Sequence, residues 1–206
     1  MLRMRPGTKR ASAPDIHTRI AARVRGLRSQ LDISLEELAE RCGVSRSMIS
    51  LIERGESSPT AIVLERLAAG LGVPLAALFD DPARPASPIA RRTDRTTWRD
   101  PESGYLRRNI SPANFPSSIH IVEVTLPAGA RVAYESASLR DTDQQVWVQD
   151  GRIEVTVGET THRLAADDCL AMHLGAPIAF ANRTRRPARY IVAIASEHPR
   201  GGLWRK

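Results

Sequence analysis

Apolar residues recur along this chain at two different spacings, and the change from one to the other falls near residue 97. Before it, the steps are three and four residues, the spacing of a helix that buries one face. After it, apolar and polar residues alternate, as in a strand with one side buried. Ile16, Ile20, Val24, Leu27 and Leu31 form one stripe and predict a first helix, with Arg19, Arg23, Arg25 and Arg28 largely off it. Ser34-Leu35-Glu36-Glu37 has the spacing of a capping box, in which the serine hydroxyl accepts from a free N–H and the glutamate reaches back. It opens a second helix through Leu35, Leu38 and Ala39. Gly43 ends that helix, since glycine takes the left-handed conformation cheaply. Ser45 caps a third helix with Ile49 and Ile52 inward, Val44 plugging the turn, and Arg46, Ser47 and Ser50 outward. Gly55 closes it after Arg54. A fourth helix starts at Pro59-Thr60 and carries Leu64, Leu67, Ala68 and Leu71. Gly72-Val73-Pro74 then turns the chain into a short fifth helix ending at Leu78-Phe79.

The alternating region reads as many short strands. Val146, Val148, Ile153, Val155 and Val157 flank Asp150-Gly151, a hairpin signal. Further turns fall at Gly158-Glu159-Thr160 and Gly175-Ala176-Pro177. Between the two halves, DDPARPASPIARRTDRTT is rich in proline and charge and reads as a linker. The chain therefore divides into a mobile basic arm (1–14), a helical domain (15–79), a linker (80–97) and an all-β domain (98–206). A length of 206 residues is enough for two small domains.

The net charge of +7 points to a polyanionic partner, with nucleic acid ahead of an anionic membrane surface. Residues 1–97 hold 16 Lys and Arg against 11 Asp and Glu, and the remainder holds 14 against 12; residues 1–28 alone hold eight basic residues and one acid, so a positive N-terminal end precedes a nearly balanced remainder. Cys42 and Cys169 stand far apart and outside any CxxC pair, which argues against a zinc or redox motif and for small thiols in a reducing compartment. The N-terminus lacks the apolar segment of a secretory signal. No apolar run is long enough to cross a bilayer, so a cytoplasmic protein without a membrane partner is expected.

A tight turn between the second and third helices sets them at a steep angle, so that one braces while the other projects. A projecting helix fits the DNA major groove. SLEELAERCGVSRSMISLIERGESSPTAIVLERLAAGLGVPLAALF resembles the DNA-binding domain of phage-repressor-type helix-turn-helix regulators, often called the xenobiotic-response-element (XRE) family. The resemblance covers about residues 16–79 and implies a five-helix, lambda-repressor-like fold. It places base-reading side chains at Arg46, Ser47 and Ser50. Leu51 stands where some relatives carry a polar reader. Arg46 has two roles open to it, forking onto a guanine or clamping a phosphate. Ser34 and Ser45, at helix starts, suit phosphate contacts. Arg28 and Arg54 are either phosphate partners or solvated charges.

LPAGARV, QVWVQDGRIEVTVG and HRLAADDCLAMHLGAPIAFANRT resemble a cupin, a double-stranded β-barrel, over about residues 104–195. Metal-binding cupins carry two histidines and a glutamate in the first motif and a third histidine in the second. Here YESASLRDTDQQ has no histidine, Gln144 stands in the glutamate's place, and Ile178 replaces the last histidine. His120, His162, His173 and His198 are isolated, and Glu135 is a single acid. A transition metal needs several such ligands converging on one point, so no metal or other cofactor is expected. Tyr134, Gln144, Trp147, His173 and Ile178 are candidates to line a ligand pocket, or else pack the core. The joined architecture resembles bacterial regulators that pair a repressor-type helix-turn-helix with a C-terminal cupin. That implies a sequence-specific, homodimeric DNA-binding transcriptional regulator on a near-palindromic double-stranded operator, sensing a small-molecule effector without a metal and carrying no catalytic residues. Two other readings stay open: a cupin isomerase or oxygenase fused to a DNA-binding domain, and an antitoxin-like DNA-binding protein with a purely structural barrel.

Overall fold

A computed structural model of the protein describes residues 15–81, 85–134 and 142–196. The basic arm at 1–14, Glu135 and His198 lie outside them. Among the described residues there are four α-helices: α1 (Ile16–Gln30), α2 (Leu35–Cys42), α3 (Arg46–Glu53) and α4 (Ala61–Gly70). Ile20, Val24 and Leu27 of α1 are buried, whereas Leu31 lies just past its end and is exposed. Ser34 caps α2 with both bonds of the capping box: its hydroxyl accepts from Glu37 N (3.1 Å) and its N–H donates to Glu37 Oε2 (2.7 Å). Gly43 (φ 63°) ends α2 in the left-handed region, where a side chain would be strained. The expected fifth helix is instead a 3-10 turn at Leu75–Phe79. It follows Pro74 and holds only five residues, so its bonds close at i→i+3, as from Ala77 N to Pro74 O (2.9 Å).

The β half contains β1 (Thr97–Arg99), β2 (Leu106–Asn109), β3 (Ile119–Leu126), β4 (Arg131–Tyr134), β5 (Thr142–Asp150), β6 (Arg152–Val157), β7 (Thr160–Ala165), β8 (Cys169–His173), β9 (Ile178–Ala181) and β10 (Ala188–Ser196). Hydrogen bonds join these strands into two sheets, ordered β1-β2-β3-β10-β5-β8 and β4-β9-β6-β7. From β3 onward the chain crosses between sheets so that β3-β10-β5-β8 faces β4-β9-β6-β7. The expected β5–β6 hairpin does not form: the chain turns at Gly151 (φ 82°), where an added Cβ would meet Ala188 at 3.0 Å, and passes from one sheet to the other, so β5 and β6 are not paired.

The two halves share buried side chains. Trp98, on β1, is only 1 % exposed and packs between Phe79 of the 3-10 turn and Tyr105, with ring centroids 5.7 Å away on each side. Buried Asp100 accepts from Ala61 N, the first N–H of α4, at 2.9 Å, and also from Ser103 N at 2.8 Å. Arg19 donates to both Thr96 Oγ1 and Phe79 O at 3.0 Å. Asn109 Nδ2 donates to Ala76 O at 3.3 Å.

Within the helical half, α4 runs close against α2. A Cβ on Gly70 would lie 2.7 Å from Cys42 Cβ and 3.3 Å from Cys42 N. Gly70→Ala is therefore expected to destabilise the fold by about 1–3 kcal/mol through overpacking, although alanine is the better helix former. Denaturant unfolding of the two proteins checks this, and an equal or raised midpoint would contradict the packing described.

Candidate functional site

Helix α3 is held by its apolar side. Ile49 and Ile52 are buried in the helical core, and Val44 is buried in the turn before them. Ser45 Oγ accepts from Met48 N (3.3 Å) and lies 3.2 Å from Ser47 Oγ. The remaining N–H groups of this first turn have no partner within the helix. Arg46, Ser47 and Met48 are exposed on the projecting side, and Arg46 pairs with Glu36 of α2. Ser50 is half-buried and accepts from Arg54 Nη1 at 2.5 Å. Arg54 forks onto Glu56 at 2.8 and 2.9 Å, and these bonds hold the Glu56 carboxyl below its ordinary range. Met48 was not among the outward residues named from the sequence. Its exposure puts it beside Arg46 and Ser47.

Arg28 points the other way. Its guanidinium forks onto Glu53 of α3 at 2.7 and 2.9 Å, and Nη1 donates to Ile33 O at 2.9 Å. The Glu53 side chain is nearly buried. This bond and the charge of Glu53 hold Arg28 more firmly protonated. Arg28 is thus a brace between α1 and α3, and a phosphate role is not what this geometry offers. Ser34, by contrast, is exposed at the start of α2 with its hydroxyl bonded to Glu37 N.

Between the two sheets and the helical half lies a cavity of about 100 Å³. Of the pocket candidates, Tyr134, Gln144 and Ile178 line it. Trp147 and His173 do not. Along β5 the inward positions are Thr142, Gln144, Val146 and Val148, so period-two alternation turns Trp147 out to 47 % exposure. His173, also on the outer side, meets Asp143 through Nδ1 at 2.5 Å. The walls hold residues the sequence reading missed: Tyr105, Arg107 and Tyr190 from the β half, with Glu65, Pro74 and Leu75 from the helical half.

Arg107 is the unusual member. It is 6 % exposed, its guanidinium carbon lies 5.5 Å from the Phe79 ring centroid, and neither Nε nor Nη2 has a hydrogen-bond partner. The Tyr105 and Tyr134 hydroxyls lie 3.0 Å apart. Burial raises the pKa of Tyr105, Tyr134 and Tyr190, most strongly for the last two, so all three phenols stay protonated at neutral pH. Strand register explains why Arg107 was missed. It stands opposite Trp98 on β1 and Val124 on β3, all three facing inward. Within Leu106-Arg107-Arg108 alone, leucine is the natural inward choice. Among the described residues, no three His, Cys, Asp or Glu side chains come together as metal ligands would, and no helix is long and apolar enough to cross a membrane.

Residues 24–78 match the Helix-turn-helix family. HTH-type transcriptional regulator SutR of Escherichia coli (strain K12) is 44% identical over 69 residues, which make up 34% of this chain and 38% of that protein. The chain therefore aligns with little more than a third of that relative's length. Control protein C.MunI of Mycoplasma sp is 35% identical over 68 residues, 32% of this chain and 92% of that protein. The chain belongs to the helix-turn-helix family. Its likeness to a solved structure runs further. The crystal structure of an HTH_3 family transcriptional regulator from Vibrio cholerae matches with a TM-score of 0.72 at 25% identity, covering 89% of this chain and 98% of that one. The shared fold thus extends through the β half of this helix-turn-helix protein.

If Arg28 braces α3, Arg28→Ala leaves the Glu53 carboxylate without its partner and lowers stability by about 1–3 kcal/mol. Chemical denaturation reads this directly. A wild-type midpoint combined with weaker DNA binding would return Arg28 to the phosphate contacts.

Proposed function

We propose that this protein is a sequence-specific DNA-binding transcriptional regulator whose β half senses a small molecule without a metal. The observation that carries the DNA-binding part is the split character of α3. Ile49 and Ile52 anchor it, while Arg46 and Ser47 project from its first turn. In a helix-turn-helix, that first turn is the part that meets base edges in the major groove. Arg46 is the base-reading candidate, with Ser47 and Ser50 beside it. Ser34 and Ser45, at the starts of α2 and α3, suit the flanking phosphates. Arg54, already tied to Glu56 and Ser50, shapes the far end of α3. Residues 15–79 form the DNA-binding part, 80–97 the connection and 98–206 the sensor. A homodimer would set two copies of α3 roughly 34 Å apart, matching a near-palindromic operator.

Sensing is supported by where the cavity lies. Its walls come from both halves, so a bound molecule touches the β sheets and the segment that follows α4 at once. An effector shifts operator affinity only if it favours one arrangement of those halves over another, and a site that contacts both can do so. Among the described residues, the walls offer tyrosine, glutamine, arginine and apolar side chains, groups that hold a small organic molecule.

The test selects bound sequences from a random DNA library and measures affinity at about 150 mM salt, the physiological ionic strength. The selected operator is expected to bind at least about a thousandfold more tightly than scrambled DNA. Arg46→Ala is expected to weaken operator binding by about 1–3 kcal/mol and to relax preference at one base pair per half-site. A uniform loss on every sequence would make Arg46 a phosphate contact. Equal affinity for operator and scrambled DNA would remove the proposed function itself.

A further inference from the structure

We infer that the cavity between the two halves binds a short-chain monocarboxylate, with its carboxylate held by Arg107. The inference rests on the sensing role proposed above and names the class of molecule that would be sensed.

An arginine cannot shed its proton to escape burial. Leaving its N–H groups unmade in an apolar site is costly, and Arg107 is 94 % buried with both Nε and Nη2 unpartnered. The Phe79 ring beneath it, 5.5 Å from the guanidinium carbon, compensates part of the charge through its π face. Nε and Nη2 themselves have almost no accessible surface, so Arg107, which lines the cavity, offers a ligand there its charge rather than that edge of its fork. The phenols add a donor. One of the Tyr105 and Tyr134 hydroxyls donates to the other, so the accepting hydroxyl keeps a proton to give.

Three features select within the anions. The cavity of about 100 Å³ is smaller than the roughly 150 Å³ site that admits benzene, so the ligand has about four to six heavy atoms. The wall beyond Arg107 is mostly apolar, with Val124, Val132, Ile178 and Phe180, and accommodates a short hydrocarbon tail. Among the described residues, Arg107 is the only cationic side chain on that wall, and Glu65, which is engaged within the chain, adds a negative charge, so the site favours a monoanion over a phosphate dianion. The carboxylate would also act on the junction, because Arg107 rests on Phe79, the last residue of the 3-10 turn after α4.

The experiment uses the full chain with sodium butyrate, butyramide and inorganic phosphate as probes, read by calorimetry and by the shift in melting temperature. Butyrate is expected to bind at least about tenfold more tightly than butyramide, its neutral isostere, and than phosphate, since hydrogen bonds to charged groups carry that much. Arg107→Gln is expected to abolish that preference. Should this variant fail to fold, the three wild-type affinities decide alone. Equal binding of butyrate and butyramide, tighter binding of phosphate, no binding of butyrate at millimolar concentration, or an unchanged preference in folded Arg107→Gln would each overturn the inference. Operator affinity measured with and without butyrate separates the two readings. Butyrate that binds through Arg107 and leaves operator affinity unchanged upholds the carboxylate site and removes the sensing role.

Discussion

The carboxylate of Asp100, carried by the loop after β1, accepts the first N–H of α4, and the structure is organised around that bond. A helix start gathers unpaired donors and partial positive charge, and a buried carboxylate placed there satisfies both partners. With Trp98 wedged between Phe79 and Tyr105 close by, the bond makes the end of the helical core and the start of the β core one continuous packed region. The cavity lies beside that region, with Pro74 and Leu75 in its wall together with side chains of both sheets.

The arginines show how little a net charge says about individual roles. Arg28 is locked to Glu53, Arg54 is tied to Glu56, and Arg19 holds the junction through Thr96 and Phe79. Arg107 is enclosed above an aromatic ring. Of those discussed for DNA contact, Arg46 stands on the projecting face with only an exposed glutamate beside it, a pairing that water and salt weaken readily.

What could be read from the sequence was local. Ser34 with Glu37, Ser45 and Gly43 announce their caps and turns within four residues, and the structure forms them as those spacings require. The 3-10 turn at Leu75–Phe79 was taken for a helix because its apolar residues fit either period, and only its length decides between them. Trp147, a candidate for the pocket lining or the core, is turned outward by the alternation through Gln144, Val146 and Val148. Arg107 was beyond local reasoning altogether. Its inward position follows from pairing with Trp98 and Val124, residues whose alignment depends on the assembled sheet.

The near-complete enclosure of Trp98 has a mechanical consequence. The halves are not beads on a thread that can swing to follow whatever they meet. They form a splint, jointed at an aromatic hinge pin whose movement would open the core to water. In any dimer built through the β halves, the distance between the two copies of α3 is then set by side-chain packing rather than by the slack of residues 80–97, and an effector changes it only by repacking that joint. A binding site with its halves displaced by half a helical turn, roughly 17 Å along the axis and on the opposite side of the duplex, would lie outside the span of such a frame.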